Sequence, residues 1–129
     1  MSKPYLGVKD GRLAECPSSP NCVSTQTDQQ DKKMNALPFT NDLETSKQVM
    51  KEVLHQMERT TIETETENYI HGIVKSKWMK FKDDVEFYFD QDEQVIHFRS
   101  ASRTGYSDMG VNRKRMNGIS EHYESMRRK

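Results

Sequence analysis

The chain has little of several things, and each shortage excludes something. It carries only two cysteines, Cys16 and Cys22, in 129 residues. Two thiols cannot build a zinc site alone, and His55, His71, His97 and His122 stand at no ligand spacing from them or from one another. No Cys-x-x-Cys redox motif occurs. No apolar run approaches the ~18 residues that would suggest a membrane span. Charge of one sign is also missing: 20 basic and 20 acidic residues cancel. A general nucleic-acid binder would be strongly basic, so that class is set aside. Hydrophobic residues are 33% of the chain, enough for one small core, so residues 1–129 read as a single domain. The N-terminus Met1-Ser-Lys-Pro-Tyr-Leu-Gly lacks the apolar stretch of a signal peptide, which leads us to expect a soluble, cytoplasmic protein. Catalytic signatures are absent too. There is neither a Gly-x-x-x-x-Gly-Lys phosphate loop nor a Gly-x-Ser-x-Gly nucleophile elbow.

All four prolines, at 4, 17, 20 and 38, fall in the first forty residues. That stretch shows no helical or strand period and is expected to be an extended or looped arm. From residue 41 onward the patterns are regular. Thr45-Ser-Lys-Gln48 reads as a capping box. Val49, Met50, Val53, Leu54 and Met57 then form one apolar stripe, which predicts a helix ending near Glu58. Strands are expected over 60–66, 69–75, 84–90 and 94–100, joined by short connections as an antiparallel meander. A second helix starts near Val111 or Asn112, with Asn112 as its N-cap after Gly110. Met116, Ile119, Tyr123 and Met126 would be its inner stripe. The predicted class is α+β: an antiparallel sheet of about four strands packed on two helices, with a long N-terminal loop arm.

Strand alternation sorts the side chains. If Val85, Phe87, Phe89, Ile96 and Phe98 face the helices, then Tyr69, His71, Glu86, Tyr88, His97 and Arg99 share the other face. That face is either an ordinary solvated surface or a polar platform closed by the N-terminal arm. The paired carboxylates of Lys82-Asp-Asp-Val-Glu86 could do acid–base work or hold a divalent cation, but acidic residues are common at a strand start, and that is the favoured reading.

The densest chemistry lies between Arg99 and Arg113: three arginines, three serines, a tyrosine, an aspartate and two glycines. Arg99, Arg103 and Arg113 carry forked donors suited to carboxylate or phosphate. Ser100 and Ser102 add hydroxyls, Tyr106 and Asp108 are orienting groups, and Asn112 opens a helix whose free amides suit an anion. The alternative is an internal arginine–aspartate network that knits the loop to the arm. For Cys16 and Cys22 three states stay open: reduced thiols, a disulfide clipping the Pro-Ser-Ser-Pro loop, or a reactive thiol. The first is expected in a cytoplasm.

Cys16-Pro-Ser-Ser-Pro-Asn-Cys22-Val-Ser, Phe81-x-Asp-Asp-Val-Glu-Phe87 and the Arg99–Arg113 motif together resemble the DUF1499 family. The likeness spans nearly the whole chain. The family brings no known activity with it; it implies that the cysteine loop and the arginine loop belong to one shared design. Many members look membrane-anchored or exported, and this chain departs from them by lacking a leader.

The functional expectation is a small non-enzymatic domain that binds an anionic small molecule without cofactor or metal. Its site would lie between the Cys16–Cys22 loop and the Arg99–Arg113 loop. Two other classes remain beside it. One is an enzyme using Tyr106, Asp108 or a cysteine; the other is a module for a protein or membrane surface, using the basic C-terminal helix.

Overall fold

The computed structural model describes residues 6–77, 81–103 and 110–128. Tyr106 and Asp108 lie outside the described residues. The chain is α+β, as expected. The helices are α1 (Leu43–His55) and α2 (Val111–Arg127). The four predicted strands are β5 (Thr60–Glu65), β6 (Tyr69–Lys75), β7 (Lys82–Asp90) and β8 (Val95–Ser102). Among the described residues the arm supplies four short strands more: β1 (Val8–Lys9), β2 (Arg12–Leu13), β3 (Cys22–Ser24) and β4 (Leu37–Pro38).

Among the described residues the main sheet has six strands in the order β3-β8-β7-β6-β5, with β4 also on β8. Every pairing in it is antiparallel. Alternation in the sequence predicts about four. β3 and β4, of three and two residues, are too short to show alternation, and they form by borrowing the free edge of β8.

One face of the sheet makes the core. Phe87 sits opposite Ile70 on one side and Phe98 on the other, and Phe89 sits opposite Ile96. These five side chains are fully buried against Met50, Val53 and Leu54 of α1 and Met116, Ile119 and Tyr123 of α2. Period 2 in the strands and period 3.6 in the helices thus meet in one layer.

The second helix begins at Val111, as expected, but the N-cap of each helix differs from the expected one. Asp42 caps α1: its carboxylate accepts from the Thr45 N–H at 2.8 Å. Thr45 is therefore inside the helix, which ends at His55 rather than Glu58. An aspartate three residues ahead does the work assigned to the Thr45 hydroxyl, with its negative charge at the positive end of the helix dipole. On α2 the N-cap is Gly110, at φ 81°. That left-handed turn favours glycine, and it places Asn112 inside the first turn, where it is fully buried.

The second face of the sheet is not an ordinary solvated one: Tyr69, Tyr88 and His97 stay half-buried, and its middle is closed off. Glu86, Arg99 and His71 do share it, but Glu86 is 0% and Arg99 2% exposed. The β1–β2 hairpin and the cysteine loop cover them, with β2 lying against β7 and β8. The molecule therefore has three layers: helices, sheet and arm.

Candidate functional site

Beneath the arm, β7 and β8 set charged side chains opposite one another. Glu86 is the register partner of Arg99. Its Oε1 is 3.3 Å from Arg99 Nη1. Its Oε2 accepts the Tyr69 hydroxyl at 2.5 Å and the Gly7 N–H at 2.7 Å. Burial and the nearby Glu86 carboxylate push the Tyr69 phenol well above its ordinary range, so it stays a donor.

Two residues along β7, Asp84 is 1% exposed at its side chain. It takes His71 Nε2 at 2.7 Å and a forked pair from Arg103, Nε at 2.9 Å and Nη2 at 3.0 Å. Burial alone would raise this carboxyl. The hydrogen bonds from His71 and Arg103, with the Arg103 charge, outweigh it and hold the group at about 2.

The serines and Asn112 belong to the opposite face. Ser100 Oγ donates to Asn112 Oδ1 at 2.5 Å, and Arg115 Nη1 reaches the same oxygen at 2.8 Å. Asn112 Nδ2 donates to the Asn21 carbonyl at 3.2 Å and to Ser102 Oγ at 3.1 Å. Arg115 also pairs with Asp83 at 2.8 Å. Arg113 donates to the carbonyls of Asp31 and Lys33 at the sheet edge.

The motif that reads as one loop in the sequence thus divides. Arg99 and Arg103 turn toward the arm; Ser100, Ser102 and Asn112 join β8 to α2; Arg113 ties α2 to the arm. Ser100 and Ser102 are strand residues, because β8 runs on to Ser102. Asn112 is no cap presenting amides to an anion: its side chain is held inside a packed network. The acidic partners are Asp84 and Glu86. Alternation and register could have found them, since Asp84, Glu86 and Arg99 fall on one face of adjacent strands. Treating the acidic cluster as a mere strand start hides them.

Cys16 and Cys22 are joined by a disulfide, with their Cα atoms 5.7 Å apart. Both are buried against Ala101. Paired sulfurs leave no thiol nucleophile. The loop they close forms one wall of a cleft of about 370 Å³, whose other wall is the end of β8. Glu15, Pro17, Ser19 and Asn21 line it on the arm side; Arg99, Ala101, Ser102 and Arg103 line it on the sheet side. Within this wall Arg99 Nε is buried and has no hydrogen-bond partner among the described residues.

A family model matches residues 12–122. The chain belongs to the DUF1499 family. That family is described as proteins of unknown function. No curated protein and no solved structure matches the chain. The DUF1499 match takes in the cysteine loop, both charged strands and most of α2, so the cleft lies wholly within the family's shared region. Among the described residues of this DUF1499 protein no helix is long and apolar enough to cross a membrane.

Proposed function

We propose that the protein is a small non-enzymatic binding domain that takes a carboxylate-bearing small molecule in the cleft between the Cys16–Cys22 loop and β8. The observation that carries this reading is Arg99. It is nearly inaccessible, lines the cleft, and has one guanidinium donor without a partner among the described residues. An unmade hydrogen bond on a buried donor costs about 1–3 kcal/mol. A ligand oxygen reaching it after a small side-chain adjustment would recover that cost. Glu86 and Asp84 neutralise most of the arginine charge, which favours a singly charged carboxylate over a phosphate. Pro17 and Ala101 give the cleft an apolar flank for the rest of the molecule.

The test is a thermal-shift screen with carboxylated and phosphorylated metabolites. A ligand at ten times its dissociation constant adds about 1.4 kcal/mol. The variant to compare is Ser19→Trp, which fills the cleft from its rim. Arg103→Ala is unsuitable, because Arg103 holds a buried carboxylate and the loss would mix folding with binding. A carboxylate-specific shift that disappears in Ser19→Trp supports the reading. A screen with no shift, or shifts unaltered by Ser19→Trp, removes it.

The disulfide bears on the compartment. Disulfides persist in oxidising surroundings and are rare in a reducing cytosol. This favours action outside the cytoplasm over the cytoplasmic expectation. The closed loop is short, so its removal should cost only about 2 kcal/mol. Chemical denaturation of the Cys16→Ser/Cys22→Ser double variant checks that figure. Alkylation of freshly lysed cells checks the compartment, where resistance of both sulfurs to the reagent is the expected result.

A further inference from the structure

At the opposite end of β8 from the cleft, a second cluster forms around the β7–β8 turn. Asp90 ends β7, Glu93 lies in the turn, and His97 follows on β8. One carboxylate oxygen of each acid and one imidazole nitrogen all lie within 4.8 Å of one another. We propose that Asp90, Glu93 and His97 bind a divalent transition-metal ion of the Zn2+ type.

Several features favour this over a chance meeting of surface charges. His97 is fixed from two sides. Its ring stacks on Tyr88 with centroids 6.3 Å apart, and its Nδ1 lies 2.9 Å from Thr25 Oγ1. Thr25 Oγ1 also accepts the Phe98 N–H at 3.1 Å and reaches the Phe98 carbonyl at 3.5 Å. With its hydrogen on that carbonyl, the hydroxyl accepts from Nδ1–H and leaves the Nε2 lone pair for an ion. A metal-binding histidine is usually held this way through its other nitrogen. Asp90 is fixed as well: its Oδ1 accepts the N–H groups of Asp92 and Glu93, which leaves Oδ2 for an ion.

The charges facing the ring are mixed. Asp90 and Glu93 bring negative charge to the ring, and Arg12 brings positive charge. Asp10, Asp28 and Lys33 line the same recess of about 470 Å³. Arg12 is tied to the Gln26 carbonyl. An imidazole with two carboxylates suits borderline ions better than Mg2+ or Ca2+, which prefer oxygen alone. Three protein ligands leave positions for water. Histidine–cysteine and histidine–histidine spacing in the sequence does not disclose this set, because its partners are turn carboxylates.

Isothermal titration of the tag-free, disulfide-bonded protein with Zn2+ tests the site, with Mg2+ and Ca2+ as comparisons. One Zn2+ per chain is expected, with weak or no uptake of the other two. His97→Ala and Glu93→Gln should each weaken Zn2+ at least about tenfold. Glu93 is exposed in a turn, so its variant keeps the metal-free melting temperature even if His97→Ala loosens the fold. His55→Ala, a change to an exposed histidine on α1, should leave binding unaltered. No saturable Zn2+ uptake, or affinity unchanged in Glu93→Gln, overturns the proposal. Because the cleft lies at the other end of β8, Ser19→Trp should not affect Zn2+, and this separates failure of one site from failure of the other.

Discussion

Replacing Glu86 by Gln is expected to destabilise the protein by about 3–5 kcal/mol. The carboxylate is fully buried and holds three donors: Arg99, the Tyr69 hydroxyl and the Gly7 N–H. Gln keeps the shape but removes the charge, so Arg99 becomes an uncompensated cation 2% exposed. Its amide NH2 must also face at least one of the remaining donors. The Gly7 contact joins residues 79 apart in sequence, so the variant should loosen the arm along with the sheet. Urea unfolding at pH 7 gives the number. A loss below about 1 kcal/mol would mean that water reaches the pair freely.

The double change Glu86→Leu with Arg99→Met separates stability from binding. A well-packed apolar pair often matches or exceeds a buried ion pair in stability. If the double variant recovers most of what Glu86→Gln loses, stability does not account for the pair's presence. The ion pair would then be explained by the cleft that Arg99 lines. If it recovers nothing, the pair is itself part of the structural frame.

Much of this architecture is legible in the order of the amino acids. Phe87, Phe89, Ile96 and Phe98 announce their face by alternation, and Met50, Val53, Leu54, Met116, Ile119 and Tyr123 by helical spacing. Both signals are local and long enough to stand above noise. What stays hidden depends on partners far away in sequence. β3 pairs with β8 at Cys22↔Ala101, and nothing near Cys22 discloses that edge. The burial of Glu86 needs Gly7 and the hairpin to arrive from the other end of the chain. Asn112 illustrates a competition: asparagine favours an N-cap, but Gly110 takes that place. The amide of Asn112 then answers Ser100, Ser102 and Asn21. The arginine motif is as rich in hydrogen bonds as its composition suggests. Its division between two faces follows from period 2, which puts Arg99 and Ser100 on opposite sides as soon as β8 extends through them.

The second large effect concerns Asp84 and acid. Its folded carboxyl sits at about 2, against an ordinary value of 3.8. A depressed folded value contributes stability that is fully present above the unfolded value. That stability is lost as pH falls from about 4 toward 2. The difference corresponds to about 2 kcal/mol. Asp84→Asn should remove a similar amount at pH 7, about 3 kcal/mol once the forked Arg103 contact is counted. The cost stays below that of Glu86→Gln because the Arg103 side chain is 25% exposed and can turn to water. The two effects share one origin, so they should not add. Wild type should lose stability steeply between pH 4 and 2, while Asp84→Asn, already destabilised, should show a flatter profile there. Parallel acid profiles would place the depressed group elsewhere and leave the Arg103 fork without its assigned role. A flattened profile would mark Asp84 as the carboxylate that anchors Arg103, and with it the end of β8, at the mouth of the cleft.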